Sequence, residues 1–158
     1  MPAIKKTLDI GHKAPAFSAP CDTGETLSLA DYAGKTLVLY FYPKDDTLGC
    51  TKEACGFNEN LAALKKLKTA VIGISKDSVA SHQKFKEKYG LQFPLLSDTD
   101  GIICEAYGTW IEKSMYGRKY MGIDRATFII GPDGKIAALW RGVKVPGHID
   151  AVIESLKG

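Results

Sequence analysis

No apolar run in the 158 residues approaches the ~20 needed to cross a bilayer. Excess charge of one sign is also missing. Lys and Arg number 21 against 18 Asp and Glu, a net +3, and the lysines stand alone or in short pairs such as Lys5-Lys6 and Lys65-Lys66. They read as solvated faces, not as a groove for nucleic acid. Histidine is scarce: His12, His82 and His148 lie far apart with no metal-ligand spacing, and surface positions are expected for all three. Cysteine is limited to Cys21, Cys50, Cys55 and Cys104. A chain of this length can bury a core without staples, so these thiols are expected to serve chemistry or packing. Repeats, linkers and low-complexity stretches are lacking, which implies one domain over 1–158. The first residues carry charge with no apolar segment behind them, so no secretory leader is expected and the cytoplasm is the expected location.

What is present is an α/β pattern. Residues 1–35 hold short extended pieces, with Cys21-Asp22-Thr23-Gly24-Glu25-Thr26 as a hairpin tip. The apolar run Leu37-Val38-Leu39-Tyr40-Phe41 predicts a buried strand over about 36–42. A helix over about 50–66 follows, with Ala54, Phe57, Leu61, Leu64 and Leu67 on its apolar face. Ala70-Val71-Ile72-Gly73-Ile74-Ser75 is a second strand, completing a parallel βαβ unit. Asp77-Ser78 caps a helix that stops at Gly90. Phe93-Pro94-Leu95-Leu96 reads as a short edge strand, and a short helix reaches about 107. Residues 108–124 show no clear period and read as a structured loop. A hairpin joined by Gly131-Pro132-Asp133-Gly134 and a last helix over about 147–157 close the chain. This order is that of a thioredoxin-like fold, a mixed central sheet flanked by helices, with an N-terminal hairpin extension.

Cys50 sits where strand gives way to helix, and there free backbone N–H groups and the positive end of the helix dipole stabilise a thiolate. Several chemistries can be weighed against its neighbours. An iron–sulfur loop of the plant type would need a third cysteine where Asn58 stands. A dithiol oxidoreductase would have Cys-x-x-Cys, but Glu53 occupies the second position. A cysteine protease or acyltransferase would need a histidine base that nothing in the sequence supports. A thiol that is oxidised and then resolved by another thiol remains. On a regular helix Cys50 and Cys55 would have Cα atoms ~8.5 Å apart, while a disulfide needs about 7 Å or less. If these two pair, the first turns of the helix must unwind.

Pro43-x-x-x-Thr47-x-x-Cys50 resembles the active-site motif of peroxiredoxins, and Glu53-Ala54-Cys55 after it resembles their Q-type, or bacterioferritin comigratory, subfamily. Ala14-Pro15-Ala16-Phe17, Phe41-Tyr42-Pro43-Lys44-Asp45 and the segment from Lys119 to Phe128 are similar to family segments in the same order. Leu48, where proline is usual, and Asn58, where arginine is common, depart from the pattern. The resemblance implies a thiol peroxidase acting on hydrogen peroxide and organic hydroperoxides. Cys50 would become a sulfenic acid, Cys55 would resolve it as an intramolecular disulfide, and thioredoxin or a similar dithiol would reduce that. Thr47 would contact peroxide and thiolate, Arg125 would supply fixed positive charge, and Pro43 would shield the site. Glu53 would be a supporting hydrogen-bonding residue, and Cys21 and Cys104 non-catalytic. No cofactor or metal is implied, and a monomer or weak dimer is expected. The competing readings are a disulfide reductase on the same fold, which the missing Cys-x-x-Cys disfavours, and a redox sensor or holdase.

Overall fold

Leu37, Leu39 and Phe41 pack on one side of the strand that carries them, and Val38, Tyr40 and, just past its end, Tyr42 on the other, every one of them fully buried. That two-sided burial follows from the two-residue period of a strand and explains why the run is apolar without a break. The computed structural model describes residues 8–157; the start of the chain, with the Lys5-Lys6 pair, lies outside the described residues. The strand is β3 (Thr36–Phe41), preceded by a small hairpin of β1 (Ser18–Pro20) and β2 (Thr26–Ser28). It is followed by α1 (Leu48–Glu59), α2 (Leu61–Lys66), β4 (Thr69–Ser75), α3 (Val79–Tyr89), β5 (Leu95–Ser97) and α4 (Ile102–Ala106). The chain continues with β6 (Trp110–Met115), β7 (Arg118–Ile123), β8 (Ala126–Ile130), β9 (Ile136–Trp140) and α5 (His148–Lys157).

The central sheet has the order β5-β4-β3-β8-β9. β4 runs parallel to both β3 and β5, and β8 runs antiparallel to β3 and β9. The sheet is therefore mixed, as expected, with β5 at one edge. One face is covered by the N-terminal extension and α4 through Phe17, Cys21, Ile103, Cys104 and Tyr107. The other face receives Ala54, Phe57, Phe85 and Val152 from α1, α3 and α5.

Two elements differ from the sequence expectation. The helix placed over 50–66 is broken at Asn60, whose side chain donates to the Gly56 carbonyl at 2.7 Å while its backbone N–H turns to Phe57. The amide side chain takes the acceptor that the next helical bond would use, so α1 ends there. Residues 108–124 are not a loop: β6 and β7 form a six-residue antiparallel ladder, from Trp110↔Ile123 to Met115↔Arg118. Most of the residues in this hairpin face water, so apolar alternation is absent. Its turn places Tyr116 at φ 50° and Gly117 at φ 78°, a left-handed pair normally signalled by Asn-Gly rather than Tyr-Gly. The histidine expectation also fails in part. His12 is exposed, but His82 is fully buried and His148 nearly so.

Candidate active site

The end of β3 delivers the chain into the turn Pro43–Thr47, and α1 begins at Leu48 with Thr47 at its N-cap position. Thr51 donates its N–H to the Thr47 carbonyl at 2.8 Å, the first helical bond. The Thr47 hydroxyl does not cap the helix; it is exposed and donates to the Lys44 carbonyl at 2.9 Å. Cys50, in the first turn, is 1% exposed. Pro43 is half-buried at the start of the turn.

Arg125 reaches the same place from the other direction. β8 is antiparallel to β3 with Ala126 opposite Phe41, so the residue before β8 emerges beside the turn that follows β3. Its guanidinium donates from Nη2 to Cys50 Sγ at 3.2 Å and from Nη1 to Glu53 Oε1 at 2.7 Å. The planar fork holds both acceptors at once, which an ammonium could not do with the same geometry. Burial works against its charge, but Glu53 and the Cys50 sulfur outweigh that and strengthen its hold on the proton. A Cβ on Gly49 would stand 3.2 Å from Nη2, so a larger residue before Cys50 would press the guanidinium aside by a few tenths of an ångström.

Glu53 is fully buried, and its Oε2 has no hydrogen-bond partner among the described residues. Burial pushes its carboxyl up to about 7, with Arg125 opposing the shift but not cancelling it. His148, at the start of α5, is pushed down to about 4 by burial and then by the positive charge of Arg125. Its Nε2 lies 2.7 Å from the Thr127 hydroxyl, and its ring meets Trp140 edge-on.

Cys55 is a free thiol on α1, half-buried, and raised in pKa by burial and then by the nearby Glu59 carboxylate. Five residues of helix turn it ~140° away from Cys50 around the axis. The structure thus brings Cys50, Glu53 and Arg125 together, sets Thr47 and Pro43 in the adjoining turn, and leaves Cys55 apart. Cys21, in the extension, is buried against the sheet with Sγ 3.0 Å from the Thr23 hydroxyl, and Cys104 is buried in α4. Burial, then Asp98, pushes the Cys104 thiol far up, an environment for an inert thiol.

Sequence reasoning missed a buried polar cluster behind the turn. Asp45 accepts from Tyr42 and Ser81, and its Oδ2 lies 2.7 Å from His82 Nδ1. Tyr42 is only three positions away, but Ser81 and His82 lie 36 and 37 positions further along the chain, so no local spacing announces the cluster.

A buried thiol at a helix N-terminus, gripped by an arginine that precedes the neighbouring strand of a thioredoxin-like sheet, defines the class as a thiol-dependent redox enzyme. Residues 10–139 match the AhpC/TSA family. A Coxiella burnetii protein assigned as a Bcp peroxiredoxin is 54% identical over 150 residues, 95% of this chain and 99% of that one. A cysteine-to-serine mutant of Xylella fastidiosa PrxQ superposes with a TM-score of 0.91 at 41% identity, over 96% of this chain and 97% of that one. The bacterioferritin comigratory protein of Xanthomonas campestris, described for its alkyl peroxide reduction activity, gives 0.88 at 42% identity over 94% and 98%. The chain belongs to the AhpC/TSA family and is a peroxiredoxin, an enzyme with peroxidase function.

Proposed function

We propose that Cys50 is the peroxide-reducing thiol, that Cys55 resolves it, and that a dithiol protein of the thioredoxin kind returns both to the reduced state. The observation that carries this reading is the 3.2 Å bond from Arg125 to the sulfur of Cys50 at the start of α1. The Cys50 thiolate attacks the near oxygen of hydrogen peroxide or an alkyl hydroperoxide. The O–O bond breaks, Cys50 becomes a sulfenic acid, and water or an alcohol leaves after taking a proton. The Arg125 guanidinium is fixed where negative charge moves from sulfur to oxygen, and it supports the departing oxygen without reorganising. Thr47 offers a hydroxyl at the exposed mouth, and Pro43, lacking an N–H, keeps the turn rigid.

Cys55 then attacks the sulfenic sulfur, a disulfide forms and water leaves. This step requires the first turns of α1 to unwind, because the helix holds the two Cα atoms ~8.5 Å apart. The unwound segment also exposes the disulfide to its reductant, whose two thiols take over the bond by exchange. The chain works as one domain, in the cytoplasm, as a monomer or weak dimer. Cys50→Ser should abolish thioredoxin-coupled peroxide consumption while the fold persists. Turnover retained by a folded Cys50→Ser protein would remove Cys50 from this role.

A further inference from the structure

We propose that His82, with Asp45, is a positioning residue: α3 holds the Pro43–Thr47 turn in the geometry that receives peroxide. This inference rests on the peroxidase reading of Cys50. Asp45 stands five residues before Cys50, and its carboxylate is turned inward and buried. Its Oδ1 accepts from the Tyr42 hydroxyl, and its Oδ2 accepts from the Ser81 hydroxyl at 2.8 Å. His82 Nδ1 approaches the same Oδ2 at 2.7 Å. The other ring nitrogen, Nε2, lies 2.9 Å from the Leu96 carbonyl of β5. A carbonyl can only accept, so Nε2 carries a proton, and one further proton serves the contact between Nδ1 and the carboxylate. Both ring nitrogens and both carboxylate oxygens are thereby occupied. Asp77 and Ser75 complete the frame: Asp77 Oδ2 accepts from the Asp45 backbone N–H at 2.8 Å and from the Ser75 hydroxyl at 2.7 Å.

The next residue is tethered to the same helix from outside. Asp46 has the left-handed φ of 55°, rare for a residue other than glycine. Its carboxylate accepts from Lys88 at 2.8 Å and from the Tyr89 hydroxyl at 2.6 Å. Lys88 first, then Tyr89, hold that carboxyl below its ordinary range. Thr47 in turn is bonded to Lys44, the residue before Asp45. The turn is thus fixed to α3 at two consecutive residues and closed on itself at the third. None of these bonds involves α1 beyond its N-cap. The half of the site made by Pro43 and Thr47 keeps its anchorage when the first turns of α1 open. The cluster is fully built of hydrogen bonds and lies behind the site, so it acts through the turn and not on the substrate.

The test uses the full chain carrying His82→Gln or Ser81→Ala, with melting curves to establish folding. Two rates are measured at Cys50: oxidation by hydrogen peroxide and alkylation by iodoacetamide. Oxidation depends on the placement of the turn; alkylation reports the thiolate and its access alone. Because a misplacement of about 1 Å can cost on the order of 100-fold in rate, His82→Gln should slow oxidation at least ~10-fold with alkylation within about twofold of wild type. Ser81→Ala, which removes one of the three contacts to the carboxylate, should show the same split at a few-fold and decides the matter if His82→Gln does not fold. Oxidation within twofold of wild type in the deciding variant, or a parallel fall of both rates, would overturn the positioning role. Wild-type protein whose Cys50 resists peroxide would instead overturn the peroxidase reading itself.

Discussion

Arg125 divides its charge between two acceptors that differ in what they do. In the proposed reaction the bond to Cys50 supports the reacting sulfur, and the bond to the buried Glu53 holds the guanidinium in place. Arg125→Ala removes a charge-assisted bond of about 1.5–3 kcal/mol. Oxidation of Cys50 should therefore slow ~10–100-fold with the fold retained, since Glu53 can take up a proton once its partner is gone. Stopped-flow oxidation at equal protein concentration checks this, and an unchanged rate would place the charge elsewhere. Glu53 also leaves a mark on stability. Its carboxyl titrates at about 7 in the folded protein, through burial, and near its ordinary value when unfolded. A folded value above the unfolded one means that stability is whole below ~4 and declines as pH rises to about 7. The decline attributable to this group is on the order of 3 kcal/mol. Denaturant melts between pH 4.5 and 7.5 should show a flatter profile for Glu53→Gln than for wild type. Parallel profiles would mean that Glu53 is ionised throughout.

In the proposed cycle α1 is the element that matters most, since it carries Cys50 and Cys55 and would have to be both whole and unwound. Cys55 is raised by burial and by Glu59 one turn further on. An unfolded cysteine ionises near 8.5, so the helical form keeps its full advantage below that pH and loses it as pH climbs toward the folded value. Opening becomes easier and the attacking thiolate more abundant in the same range. Disulfide formation from the Cys50 sulfenic acid, followed by rapid quench between pH 7 and 9.5, should accelerate with pH, and less so in Glu59→Gln. A flat rate in wild type would show that opening is governed by something other than Cys55. α1 also marks how far the sequence was legible. Its start at the cysteine motif and its apolar face were readable from local spacing, and so was β3, whose unbroken apolar run admits few alternatives. The break at Asn60 was not, because an asparagine that back-bonds to Gly56 looks like any polar helix residue. The β6–β7 hairpin was hidden for the opposite reason: it buries too little to impose a period.

At the scale of the whole molecule, the site exists because of sheet order. Cys50 follows the C-terminal end of β3 and Arg125 precedes β8, and only their antiparallel adjacency brings residues 75 positions apart to 3.2 Å. α3 then braces the intervening turn from the far side through His82 and Asp45. The family resemblance named Cys50, Thr47, Pro43 and Arg125 as candidates and set Arg125 toward the Cys50 thiolate, while the pairing of Arg125 with Glu53 and the buried His82 required the tertiary structure, since spacing along the chain carries no trace of them. The central claim is a two-cysteine cycle, and the most direct test is intact mass with thiol trapping after one equivalent of hydrogen peroxide, followed by peptide mapping. The account predicts a loss of two hydrogens and a peptide linking Cys50 to Cys55. A stable gain of one oxygen on Cys50, with Cys55 still trapped as a free thiol, would contradict it.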